Sequence, residues 1–191
     1  MKTPTYRYDF YRNEGPRSYH WHVRMRKILF TPSSTYTYLF RQTQDAGCKL
    51  THFFWASLLH VTKIITAIQI PPTISIGRGL RILHFGAIVV NPEAVIGKNF
   101  NIAQGVLVGN SEGKRAGVPR IGDNVYCGAN SIIIGGIKIG NDVLIAPGAF
   151  VNFDVPDNSI VIGNPGKIIP RESSPTKKYI VYPVEDYEKY F

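Results

Sequence analysis

His84 is the one ionisable ring in the run GRGLRILHFGAIVVNPEAVIG, residues 77–97, which is otherwise largely apolar and rich in glycine. Two chemistries are open to an imidazole in such a setting. It can be a core residue whose nitrogens are satisfied by backbone, or a general base, for which a group titrating near about pH 6.5 is suited. Lys114 and Arg115, in the polar stretch NSEGKRAGVP at residues 110–119, are a second pair of candidates. Metal chemistry finds no such group. Cys48 and Cys127 are far apart and match no zinc-ligand spacing, and the His20-Trp21-His22 pair has no nearby acidic or cysteine partner, so no metal is expected.

The elements that must position these residues are set by a period of six. From Ile121 the chain reads IGDNVY, CGANSI, IIGGIK, IGNDVL, IAPGAF, VNFDVP, with an aliphatic residue or cysteine at 121, 127, 133, 139, 145 and 151. Ile70, Ile76 and Ile82 keep the same spacing, as do Val90, Ile96, Ile102 and Val108. Neither a helix nor an alternating strand has this period; a parallel β-helix of hexapeptide repeats does, three hexads making one triangular coil. Residues 67–169 are therefore expected to form a mainly β prism of roughly five coils at the ~4.8 Å inter-strand spacing. Its aliphatic residues and Cys127 pack inward, while Asp123, Asn124, Asn141 and Asp142 sit at corners and bond nearby backbone.

Two places break the register. The step from Ile82 to Val90 is eight residues rather than six, and that from Val108 to Ile121 is thirteen rather than twelve. His84 lies in the first break and Lys114 and Arg115 in the second, and irregular excursions from a scaffold are where function concentrates.

Residues 1–66 lack the repeat and read as an N-terminal helical segment, with helices around Tyr19–Phe30 and from Asp45, a plausible N-cap, to Ile68. Leu50, Phe53, Phe54, Trp55, Leu58, Leu59 and Ile65 are expected to cover the open end of the prism, which would otherwise expose its core. The tail, 170–191, is polar and then aromatic and is expected along the outside.

The formal charge of +9 is local: residues 1–66 carry ten basic and three acidic side chains, the prism +2 and the tail none. Such an arm could meet nucleic acid, an acidic membrane face or a phosphorylated small molecule, or serve solubility alone; with no recognised nucleic-acid motif, no nucleic-acid partner is expected. The most apolar window, Phe53 to Ile68, is broken by His60 and Lys63 and is too short to span a bilayer. With no signal peptide pattern, a reducing cytoplasmic location is expected.

The stretch IPPTISIGRGLRILHFGAIVVNPEAVIG and the closing GNPGK at 163–167 resemble the left-handed β-helices of the hexapeptide acyltransferases, the serine acetyltransferase branch in particular. The resemblance implies an acetyl-CoA-dependent transfer to the hydroxyl of a small acceptor, by a homotrimer with sites in the clefts between prisms. It makes His84 the general base, sets Lys167 near the coenzyme phosphates, and gives Gly109 and Ala129 a place along the pantetheine channel. The family's aspartate fifteen residues before the histidine is Gln69 here, which can fix a tautomer but carries no charge. The aspartate just before it is Leu83, and an Arg-His pair that serves the charged ends of serine falls on Gly117 and Val118, leaving Lys114 or Arg115 as carboxylate ligands. Three readings follow: L-serine as acceptor, a sugar unit of a cell-surface polysaccharide as acceptor, or a non-catalytic hexapeptide scaffold.

Overall fold

A strand of two or three residues cannot hold itself, so an array of them is stable only when each lies on an identical neighbour. The computed structural model, which describes residues 4–187 and 189, has this architecture, a left-handed parallel β-helix entered through helices. Face 1 comprises Ile68–Gln69, Ile88–Val90, Leu107–Gly109, Ile132–Ile134 and Phe150–Val151. Face 2 comprises Ser75–Ile76, Val95–Ile96, Arg120–Ile121 and Lys138–Ile139. Face 3 comprises Arg81–Ile82, Asn101–Ile102, Tyr126–Cys127, Leu144–Ile145 and Ser159–Ile162, on which Lys167–Pro170 folds back antiparallel.

The expected inward residues stack in register, Ile76, Ile96, Ile121 and Ile139 on face 2 and Ile82, Ile102, Cys127 and Ile145 on face 3, and Val161 continues the second stack. Burial pushes the Cys127 thiol up, leaving it a neutral packing group. Of the four corner residues Asp123 and Asn141 bond backbone as expected, while Asn124 accepts from the Asn99 side chain and Asp142 from the Ser174 hydroxyl. Asp123 Oδ1 accepts from Lys98 N at 2.9 Å, Asn141 Oδ1 from Asp123 N at 2.9 Å, and Asp157 Oδ1 from Asn141 N at 2.8 Å. Asn99, Asn124, Asp142 and Asn158 each take a left-handed conformation at this corner, which short polar side chains tolerate.

The second register break is larger than the sequence spacing indicated. Val108 and Ile121 are consecutive inward residues on faces 1 and 2, so the surplus is seven residues rather than one. These leave the prism as a loop closed by the paired Ser111 and Gly117 and turned by a short 3-10 helix over Gly113–Arg115. A spacing near two hexads had hidden one hexad plus an excursion.

The helical segment also differs from expectation. It comprises α1 (Thr5–Glu14), a 3-10 turn (Gly15–Tyr19), α2 (Trp21–Phe30), α3 (Pro32–Gln44) and α4 (Lys49–Thr66). Cys48, not Asp45, caps α4; Asp45 ends α3, and its carboxylate accepts from Thr5 N at 3.4 Å. The open end of the core is plugged by α3, through buried Tyr36, Leu39 and Phe40, and the Tyr36 hydroxyl bonds both Ile70 N and Ile70 O at 3.0 Å. Of the α4 residues expected there, only Leu59 is buried and Trp55 partly packed; Leu50, Phe53, Phe54, Leu58 and Ile65 are exposed. Periodicity located the apolar stripe but not which helix lies over the prism end.

A buried ion pair fixes these helices to the first coil. Arg41 Nε lies 2.7 Å from Asp9 Oδ2, and Asp9 Oδ1 accepts from Gly79 N at 2.7 Å and Leu80 N at 2.9 Å. Arg41 Nη2 donates to Gly77 O at 2.6 Å. Burial pushes the Asp9 carboxyl up, opposed by Arg41 and the two amides. Nearby, Arg12 bonds Asn101 Oδ1 at 2.6 Å and also Val181 O in the tail. As expected, the tail runs along the outside, with Tyr179 on Tyr126 at 4.8 Å and, from α5 (Val184–Tyr187), Tyr187 on Tyr8 at 4.5 Å.

Removing one member of the pair strands the other charge. Asp9→Ala is expected to lower the unfolding free energy by about 3–5 kcal/mol in urea titration, and the double variant Asp9→Leu/Arg41→Met to cost less than either single change.

Candidate active site

The edge where face 3 turns into face 1 carries one corner residue per coil, and the ladder fixes their order. Ile82 pairs with Ile102 and Ile102 with Cys127. Gln104 is thereby stacked over Ala129, with Asn130 N donating to Gln104 O at 2.9 Å. Gly105 N donates to Gly86 O at 2.9 Å, so Gly86 is the residue stacked over Gln104, and His84 and Phe85 bulge out of the stack between Leu83 and Gly86. Gly148 N then donates to Ala129 O at 2.8 Å, and Phe150 N to Gly163 O at 3.0 Å, so the hairpin leading to Lys167 closes the same edge. From His84 to that hairpin is four inter-strand steps, about 19 Å. Such a line suits an elongated ligand with a reactive group at one end and phosphates at the other.

His84 is exposed, which removes the core-histidine alternative: the two surplus residues of the first break push this corner outward. Among the described residues neither His84 nor Gln69 makes a side-chain hydrogen bond, so the structure does not join Gln69 to the ring. Ala129 is half-buried and Lys167 exposed.

The remaining expected residues lie elsewhere. Gln69 and Gly109 together line a cleft of about 560 Å³ between α4 and face 1, where His60, Lys63, Asn91 and Asn110 add polar groups to an apolar floor. A Cβ at Gly109 would meet only Ile134 at 3.5 Å and Leu107 at 3.6 Å, ordinary contacts, so packing does not require glycine there. At Gly97, by contrast, a Cβ would lie 2.7 Å from the Gly122 backbone, so the fold itself requires it. Lys114 and Arg115 stand on the excursion loop at the edge between faces 1 and 2, across face 1 from His84. Arg115 is exposed and pairs with Asp154 at 3.4 Å. One chain therefore holds His84, Ala129 and Lys167 on one edge and Gly109, Lys114 and Arg115 at another.

Gln104 is a site candidate the sequence reading missed. Among the described residues its Oε1 is buried and has no hydrogen-bond partner, one coil along from Gly86 at the corner that His84 leaves. The signal was its place two residues after an inward isoleucine, obscured because the first coil is twenty residues long rather than eighteen. No group of three or more metal-ligating side chains occurs among the described residues, and no helix there is long and apolar enough to cross a membrane.

Comparison with known proteins agrees with this architecture. The family described as bacterial transferase hexapeptide (six repeats) matches residues 119–152. A serine acetyltransferase of Synechococcus elongatus is 36% identical over 116 residues, covering 60% of this chain and 47% of the relative. The putative colanic acid biosynthesis acetyltransferase WcaB of Escherichia coli K12 is 37% identical over 123 residues, covering 62% of this chain and 76% of the relative. Among solved structures, the serine acetyltransferase of Brucella abortus superposes with a TM-score of 0.69 at 26% identity, over 89% of this chain and 69% of that one. The chain belongs to the hexapeptide-repeat, serine acetyltransferase-like family. It spans about half the length of the cyanobacterial relative.

An orphaned buried acceptor costs about 1–3 kcal/mol until a donor reaches it. Gln104→Met is therefore expected to raise the melting temperature; a lower one would show that the amide makes contacts the apolar side chain cannot replace.

Proposed function

We propose that this chain is an acetyl-CoA-dependent O-acetyltransferase of the serine acetyltransferase type, working in the cytoplasm as a homotrimer with L-serine as acceptor. The reading rests on one observation above the others. His84 is exposed at the head of a straight edge that ends near Lys167, in a chain whose relatives are acetyltransferases.

In this reading His84 takes the proton of the acceptor hydroxyl as its oxygen attacks the thioester carbonyl. The resulting oxyanion is held by a backbone N–H of the cleft. Its collapse breaks the C–S bond, and the coenzyme leaves as a thiol carrying the proton from His84. No covalent enzyme intermediate is formed, and neither cysteine takes part. Lys167 meets the coenzyme phosphates as a point charge and Ala129 gives the pantetheine arm room on the same edge, while Gln69 and Gly109, which lie in the cleft beside α4, reach such a ligand only from a neighbouring protomer. Because Lys114 and Arg115 lie across face 1 from His84, they complete the site of a neighbouring protomer, which is what the trimer supplies.

A second acceptor, a saccharide hydroxyl, is favoured by specific residues. Leu83, Gly117 and Val118 stand where the serine-binding family carries charged groups, and a buried ammonium or carboxylate without a partner is costly. The likeness to WcaB points the same way.

Thiol release from acetyl-CoA with serine and with sugar acceptors separates the two. His84→Ala is expected to keep the sedimentation coefficient and lower turnover by on the order of 10² to 10⁴. Mixing His84→Ala with Lys114→Glu/Arg115→Glu should restore part of the activity, since mixed trimers rebuild some intact seams. A coenzyme A titration that leaves the melting temperature unmoved would return the chain to a non-catalytic scaffold.

A further inference from the structure

Helix α2 is turned inside out. Its half-buried side carries Arg24, which donates to Ser18 O at 2.5 Å and Tyr19 O at 2.8 Å, and Lys27, which pairs with Glu14 at 2.8 Å. Its outward side carries Trp21 at 71% exposure, Met25 at 44%, Leu29 at 66% and Phe30 at 77%. Helix α4 does the same on a larger scale, with Leu50, Phe53, Phe54, Val61, Ile64 and Ile65 all more than half exposed. Both helices pack against α3. Exposed apolar surface on this scale marks an interaction site, since single scattered side chains do not produce it.

Charge decides among possible occupants. From Gly15 to Pro92 the chain has nine lysines and arginines, of which Arg41 is buried against Asp9 and Lys27 pairs with Glu14, and a single acidic residue, Asp45, whose carboxylate faces Thr5. Neither α2 nor α4 contains an aspartate or glutamate, and Arg26, Lys49 and Lys63 are exposed among the apolar side chains. A second copy laid on this face would bring cations toward cations with no carboxylate between them. A nucleic acid would match the cations and leave the leucines, isoleucines and phenylalanines unmatched. The surface of a bilayer containing anionic phospholipid matches both: acyl chains take the aliphatic and phenyl groups, Trp21 sits at headgroup depth, and the lysines and arginine reach lipid phosphates on their flexible stems.

We propose that α2 and α4 form a membrane-docking surface that holds this protein on an anionic phospholipid leaflet without crossing it. The inference is independent of the acyl-transfer reading: of the residues it uses only Lys63 also lines the cleft with Gln69 and Gly109, and the variants that test it leave Lys63 unchanged.

Flotation of the full chain with vesicles tests it, using phosphatidylcholine alone and phosphatidylcholine mixed with an equal part of phosphatidylglycerol. The protein is expected to float with the mixed vesicles, to be released by salt, and to bind phosphatidylcholine alone at least about tenfold more weakly. Phe53→Glu/Ile64→Glu and Arg26→Glu/Lys49→Glu should each abolish flotation while the melting temperature, sedimentation and thiol-release activity stay those of the wild type. Absence of wild-type flotation with mixed vesicles overturns the proposal, as does equal binding to both vesicle types. A smaller sedimenting species for Phe53→Glu/Ile64→Glu assigns the face to a second copy instead.

Discussion

Every strand of the prism is two to four residues long, so the protein depends on inward aliphatic side chains lying on their equivalents one coil away. Each coil contributes backbone hydrogen bonds to its neighbours and closes its turn with a residue in left-handed conformation, from Ala87 and Asn99 through Asn130 to Asn158. The corner side chains then bond the coil above, as Asp123, Asn141 and Asp157 do in succession. Cooperation of this kind makes the scaffold rigid along its axis and tolerant of change at its corners, where an insertion adds length without shifting any strand.

That tolerance explains why chemistry accumulates at two corners. Two surplus residues lift His84 out of the stack, and seven carry Lys114 and Arg115 away from the opposite edge of the same face. Each excursion leaves the ladders on either side in register, so the scaffold holds both corners at fixed separation. Gln104, one coil along from Gly86 at the corner that His84 leaves, illustrates a cost of this arrangement: its buried carbonyl oxygen lacks a donor among the described residues. A polar group left unmet in a well-packed edge is consistent with a site completed by a ligand or a neighbour.

The helical segment follows a different logic. It is held by polar contacts as much as by apolar ones, with Asp9 and Arg41 meeting the turn at Gly77–Leu80 and Arg12 joining α1 to Asn101 and the tail. Helix α3 packs Tyr36, Leu39 and Phe40 on the prism, and α4 adds only Leu59 and part of Trp55. Because that plug is sufficient, the apolar sides of α2 and α4 are free to face outward, which gives the segment its basic and greasy exterior.

The hexad period alone determined the prism, its inward residues, its polar corners and the fact of two breaks, because a repeating contact with an identical neighbour leaves a repeating mark in the chain. His84 was legible for the same reason, as a residue out of step with that mark. What tertiary structure decided is whatever depends on contact between unlike parts. It set the true length of the second excursion, the plugging of the core by α3 rather than α4, the partnership of Asp9 with Arg41, and the burial of the Gln104 carbonyl without a donor among the described residues. It also separated Lys114 and Arg115 from the histidine by the width of a face. None of these pairings has a period, since each joins segments tens of residues apart whose meeting is fixed only when the coils close.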